Sequence, residues 1–173
     1  MATISRLGYG VVEMNRTTFE YTGKLHAQLP VASGIAQLEE GQFVKYDKEN
    51  GEVNFTGDGP WYVVYNDYAA DAKPWLIGAH TWVTDNSDAS NPASVWLALI
   101  EVGDWYTTNA VGGPNTAPGA TYAGVPVVVG DELSPNASGW LVTSGGNTDI
   151  VFKATAITTL PDGQVAVELL RIE

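Results

Sequence analysis

An all-β fold, a compact sandwich or barrel-like domain with an extended amino-terminal arm, is what this sequence predicts, on three observations. Short runs rich in β-branched and aromatic residues recur along the chain. Nineteen glycines and nine prolines punctuate them. No segment carries a sustained apolar stripe at helical spacing with capping residues.

Residues 1–28 have no regular period. Their apolar residues are interrupted by Gly8, Gly10, Asn15, Thr17 and Thr18. The segment is too apolar for a solvated tail and too irregular for a helix. An extended arm lying on something else fits it best; the alternative is the first strand or two of the same sheet. The β domain then runs over residues 29–173, with room for a loop subdomain near 66–94.

Pro30 to Ala36 reads as a loop or strand entry, and Gln37 to Glu40 could form one helical turn before Gly41. The best-formed local pattern follows. Phe43, Lys45 and Asp47 alternate with Val44 and Tyr46, the period of a strand. Asn50-Gly51 is a two-residue hairpin signal. Phe43 and Tyr46 are expected to bury on opposite faces. Trp61 to Tyr65 is the next strand, Asn66 to Pro74 a loop, and Trp75 to Val83 a further strand.

Thr84 to Pro92 is the clearest loop, and Ser94 to Val102 looks like a strand buried on both faces. Trp105 to Val111, Val125 to Val129 and Gly139 to Val142 are extended. Phe152 to Leu160 and Gln164 to Ile172 form a last hairpin turned by Pro161-Asp162-Gly163. It is apolar on both faces, so one face needs cover from more of the chain or from a neighbouring subunit. Val102-Gly103-Asp104 runs on to Asn109 and Val129-Gly130-Asp131 runs on to Asn136 with the same spacing. A turn followed by a new strand explains both copies, and two copies do not make a repeat array.

Composition narrows the function classes. With 173 residues and 45% apolar content the chain can bury a sizeable core. No cysteine is present, which removes disulfides, thiolate metal sites and cysteine nucleophiles. The formal net charge of −12 disfavours nucleic acid and anionic membranes as partners. No Lys or Arg occurs between Lys73 and Lys153, while Arg6, Arg16 and Lys24 make the first segment mildly basic. No signal peptide and no membrane-length apolar run is visible.

Chemistry is sparse. His26 and His80 sit in no metal or nucleophile motif. Asp85-Asn86-Ser87-Asp88 lacks the spacing of an EF-hand loop. Asp131 and Glu132 are adjacent, so on a strand they point to opposite faces and make a poor catalytic pair. No phosphate loop precedes a helix. The expectation is therefore no catalytic residue, no cofactor and no metal: not an enzyme. Six tryptophans, Trp61, Trp75, Trp82, Trp96, Trp105 and Trp140, are assigned mostly to core packing, with interfaces or a sugar-binding face as further uses.

The order of these features resembles a head-decoration (cement) protein of a tailed bacteriophage. An irregular arm precedes Gly41-Gln42-Phe43-Val44-Lys45-Tyr46-Asp47, similar to a strand common in small capsid proteins. Glu101 to Val111 (Glu-Val-Gly-Asp-Trp-Tyr-Thr-Thr-Asn-Ala-Val) has the same flavour. The resemblance implies a virion protein, made in the host cytoplasm, that binds the major capsid protein on the capsid surface. It implies a homotrimer that bridges capsomers. The docking residues would then be Ile4, Arg6, Leu7, Tyr9, Val11, Arg16, Phe19 and Tyr21 of the arm. Subunit contacts would fall on Trp105, Tyr106, Val167 and Leu169. A carbohydrate- or receptor-binding module of a phage fibre or tail is the alternative, expected to show an exposed row of Trp or Tyr.

Overall fold

The computed structural model describes residues 2–4, 6, 10–18, 26–65, 83–85, 93–113, 124–143, 148–160 and 163–173. The fold is all-β, and its strands pair antiparallel throughout. In chain order they are β1 (Ala2–Ile4), β2 (Val12–Arg16), β3 (His26–Pro30), β4 (Gln37–Glu39), β5 (Phe43–Asp47), β6 (Glu52–Asn54), β7 (Trp61–Val64) and β8 (Val83–Asp85). Then come β9 (Ser94–Ala98), β10 (Trp105–Thr108), β11 (Val125–Val127), β12 (Glu132–Pro135), β13 (Leu141–Val142), β14 (Phe152–Thr159) and β15 (Val165–Arg171).

Two sheets face each other. One is six-stranded, in the order β13-β12-β14-β15-β10-β2; the other is five-stranded, in the order β3-β9-β7-β5-β6. Alternation decides what each face meets. Phe43, Val63 and Ala98 lie in one row of the five-stranded sheet and enter the core between the sheets. From the six-stranded sheet, Tyr106, Leu133, Phe152, Ala154, Val167 and Leu169 enter the same core. Phe152 stands at its centre, with ring centroids 5.4 Å from both Phe43 and Tyr106.

Val44, Val64, Val95 and Leu97 point to the opposite face of the five-stranded sheet, where Val31 and Leu38 cover them with Leu29, Ile35 and Phe55. That cover comes from the 31–36 loop and from the small β4-β8 sheet. So β9 is buried on its outer face by Val95 and Leu97, while Trp96 on its other face is 40% exposed.

The hairpin of β5 and β6 forms, with Tyr46 opposite Val53. Its turn differs from the expectation. Four residues, 48–51, connect the strands, and of the turn residues Gly51 has positive φ (68°) while Asn50 does not. Asp47 decides this. Its carboxylate accepts the amides of Glu49 and Asn50 and the side-chain amides of Asn50 and Asn54. Those bonds, the Asn50 side chain first, hold its pKa below the ordinary carboxylate value. Gln37–Glu39 is a strand, not a helical turn, because it pairs with β8. Tyr46 is half-buried, and the partner of Phe43 on the opposite face is its neighbour Val44.

The amino-terminal arm is corrected for its described part. β1 pairs with β11, β2 pairs with β10 in the six-stranded sheet, and β3 spans the expected boundary at residue 28. Backbone contact fixes β1 closely: a Cβ on Gly124 would lie 1.9 Å from the Ile4 carbonyl oxygen. Of the expected 66–94 subdomain, β8 and the start of β9 are described, and both belong to the body's sheets. The expected strand from Trp75 lies outside the described residues up to Val83.

The six-stranded sheet has an internal twofold arrangement. Lys153 pairs with Leu170, Phe152 with Arg171 and Ala154 with Leu169. On one side Trp105 pairs with Leu170 and Tyr106 with Leu169; on the other Glu132 pairs with Lys153 and Leu133 with Phe152. A twofold axis normal to the sheet, through the Lys153-Leu170 pair, exchanges these two sets. It extends one strand further: Val12 sits opposite Thr108 as Leu141 sits opposite Pro135. The symmetry belongs to the sheet and not to chain connection. β13 follows β12 directly, whereas β2 precedes β10 by some ninety residues.

Candidate functional site

Two places concentrate polar or exposed side chains: the seam that holds the amino-terminal segment, and the pair of Val-Gly-Asp turns beside the twofold axis.

The seam is built on residues flanking β10. Asn109 is fully buried; its Oδ1 accepts the Val11 amide at 2.7 Å, and its Nδ2 donates to Gln164 Oε1 at 3.1 Å. Thr108 Oγ1 donates to the Val11 carbonyl at 2.8 Å. Arg6 enters the same region with 0% exposure. Its guanidinium donates to the Asn109 and Gly113 carbonyls, lies 3.7 Å from Glu39 Oε2, and stacks 4.6 Å over the Trp140 ring. Gln42 adds to the seam: it takes the Glu39 amide on Oε1 and donates to the Ser138 carbonyl. A buried arginine needs this many partners, because an uncompensated charge there costs several kcal/mol.

Among the described residues, two clefts lie beside these side chains. One, of about 380 Å³, is lined by Arg16, Thr17, Thr18, Gly103, Asp104 and Trp105. Its carboxylate is already engaged: Asp104 accepts the Thr18 amide and hydroxyl and the Glu101 amide. The other, of about 340 Å³, lies between the 34–37 segment and Trp140, with Phe55 and Glu39 on its walls. Glu39 there faces Arg6, and the Trp140 ring is stacked on the same guanidinium. Among the described residues no group of three or more His, Cys, Asp or Glu is placed to hold a metal ion.

The turns are closely matched. In Glu101-Val102-Gly103-Asp104, the Asp104 amide donates to the Glu101 carbonyl (3.0 Å) and Asp104 Oδ2 accepts the Glu101 amide (2.8 Å). In Val128-Val129-Gly130-Asp131 the same two bonds are 3.1 and 2.9 Å. Both glycines have positive φ, 94° and 99°, as the third position of a type II turn requires. Each turn is also tied to a central strand by two backbone bonds. The Gly103 amide donates to the Arg171 carbonyl and the Asp104 carbonyl accepts the Arg171 amide; Gly130 and Asp131 do the same with Ala154. The second residue of each turn is left outside: Val102 is 64% exposed and Val129 62%.

The expected site residues divide as follows. Ile4 and Arg6 are fully buried in the chain's own body, so they are not free to dock on a partner. Val11 is half-buried and Arg16 exposed, both on or beside β2. Leu7, Tyr9, Phe19 and Tyr21 lie outside the described residues. Tyr106, Val167 and Leu169, expected at a subunit interface, are fully buried between the two sheets, because the inner face of the six-stranded sheet is filled by this chain's own five-stranded sheet. Trp105 is half-buried beside the first cleft. Trp61 and Trp140 are buried; Trp75 and Trp82 lie outside the described residues. The exposed large apolar side chains among the described residues are Trp96, Val102 and Val129. The turn valines were missed as surface features, although their Val-Gly-Asp repeat was the signal that could have found them.

No family model, curated protein or solved structure matches the chain.

Proposed function

We propose that the protein is a structural component of a tailed-phage virion, one that binds the outside of the capsid and stabilises it by bridging capsomers. Its partner is the major capsid protein, and self-association as a homotrimer belongs to the same reading. The observation that carries it is where the free apolar surface lies. Among the described residues, Val102 and Val129 project from turns tied to the central strands and line neither of the two clefts above. Exposed apolar side chains on anchored turns suit a protein surface better than a small substrate. The polar side chains of the seam and of the Asp104 cleft meanwhile hold the chain's own segments together. The charge of −12 favours a partner face richer in Lys and Arg. Many weak contacts across a lattice add up, and a protein that binds the assembled shell stabilises that state.

Co-sedimentation with empty shells of the same virus's major capsid protein tests the reading. Saturable binding, and shells that melt at higher temperature when loaded, are the expected results. Absence of binding, or binding to a glycan array instead, overturns it. Deleting the first 25 residues is not a usable test of docking, because β1, Arg6 and β2 belong to the folded body.

A further inference from the structure

We infer that the two Val-Gly-Asp turns are the halves of one bivalent docking surface, which grips two partner subunits related by a twofold axis, one valine on each. The inference rests on the capsid reading above and places the contact where neighbouring capsomers meet across a twofold axis.

Three observations carry it. First, exposure at the two turns is nearly the same, 64% at Val102 and 62% at Val129. Second, neither valine is on a loose loop. Each turn is closed by its aspartate from within and by two backbone bonds to β15 or β14 from outside, so presenting the side chain costs little ordering entropy on binding. Third, the twofold axis through Lys153 and Leu170 exchanges the two turns, as the paired registers show. Two strands, β14 and β15, lie between the strands that follow the turns, so with the offset in opposite directions along the strands the valines stand on the order of 20 Å apart.

A pair of turns with this symmetry, each bearing one exposed valine, is matched by a partner that offers the same depression twice, related by its own twofold. A single asymmetric subunit would use one turn and leave the other solvated. The partner's chemistry follows from the rim. Glu101, Glu132 and Glu173 are exposed around the turns. Arg171, half-buried with its guanidinium donating to the Ile100 and Glu173 carbonyls, offsets part of the charge of Glu101 and Asp104 at the first turn and leaves Glu132 and Glu173 exposed. Lys153 alone is exposed at the axis among the described cations of the central strands. The face that fits is a pair of shallow apolar depressions bordered by Lys or Arg.

The test measures binding of the full chain to shells of the same virus's major capsid protein, for wild type, Val102→Asp, Val129→Asp and the double variant. Each single substitution is expected to weaken binding by about tenfold or more, by similar factors, and the double by about a hundredfold or more. Saturation is expected at one chain per two capsid subunits. Both side chains are exposed, so thermal midpoints should stay near wild type; if an Asp variant does not fold, the nearly isosteric Val→Thr pair replaces it, with the same equality expected. Wild-type binding that neither substitution weakens, or that one weakens and the other does not, overturns this inference and leaves the capsid reading standing. Failure of the wild type to bind overturns the capsid reading, and this inference with it.

Discussion

The interior between the two sheets and the seam beneath the amino-terminal segment both tie distant parts of the chain together, by opposite means. Between the sheets the contact is dry and aromatic: Phe152 packs on Phe43 and Tyr106, with Leu133, Val167 and Leu169 around them. At the seam it is polar and charged: the Arg6, Gln42 and Asn109 side chains make directed bonds to backbone, and the Glu39 carboxylate pairs with Arg6. The dry core tolerates many apolar shapes of similar volume. The seam accepts one segment in one register, because each buried polar atom must find its partner. A hydrophobic core makes this body stable, while a polar seam decides which stretch of chain lies in the groove.

Breaking the dry side gives the largest effect. Phe152→Ala removes the ring shared by both sheets and leaves a cavity, so we expect a loss of about 3–5 kcal/mol in denaturant unfolding. Arg6→Ala comes next, at about 3 kcal/mol, because it removes the cation paired with the buried Glu39 carboxylate. The two variants differ in kind. Phe152→Ala should lower stability throughout the body. Arg6→Ala should raise hydrogen exchange first in β1 and its partner β11, leaving β14 and β15 protected. Equal loss of protection in β1 and β15 would show that the seam and the core open together, and the distinction between them would fall. The double change Arg6→Met with Glu39→Met sharpens the point. It should recover part of the lost stability, since an apolar pair no longer carries an uncompensated charge, though the Asn109 and Gly113 carbonyls still lose their donor.

The same contrast explains what could be read from the sequence. β5, β7, β14 and β15 are dense in β-branched and aromatic residues, and dry packing is a property of such runs, so they were legible. β12 carries one deeply buried apolar residue, Leu133, and its pairing is set by β14. β2, Val-Glu-Met-Asn-Arg, looks irregular because it is fixed in part by bonds such as Asn15 to Thr107 Oγ1 across to β10. Arg6 gave no signal at all: nothing local distinguishes an arginine buried among carbonyls from one in solvent. The Val-Gly-Asp spacing was visible, but its twofold placement depends on strand register between β10, β15, β14 and β12, which is a long-range property.

Tyr106 is where the two regimes conflict, and it offers the smallest and most discriminating change. Its ring belongs to the dry core, yet its hydroxyl is buried with no hydrogen-bond partner among the described residues. Burial pushes its pKa well above the ordinary tyrosine value, because the phenolate cannot form without solvent. Tyr106→Phe keeps the edge-on contact with Phe152 and removes the orphaned hydroxyl, so stability at pH 7 should rise by about 1 kcal/mol. The pH dependence has a definite sign. A folded-state pKa above the unfolded one gives a contribution that is complete below about pH 10, where the unfolded tyrosine titrates, and is lost as pH climbs from there toward the folded value. The wild type should therefore lose stability more steeply above pH 10 than the Phe variant, measured as urea midpoints from pH 7 to 11. A variant less stable at pH 7, with an unchanged alkaline slope, would mean that the hydroxyl is satisfied and that a polar contact reaches into the core as well.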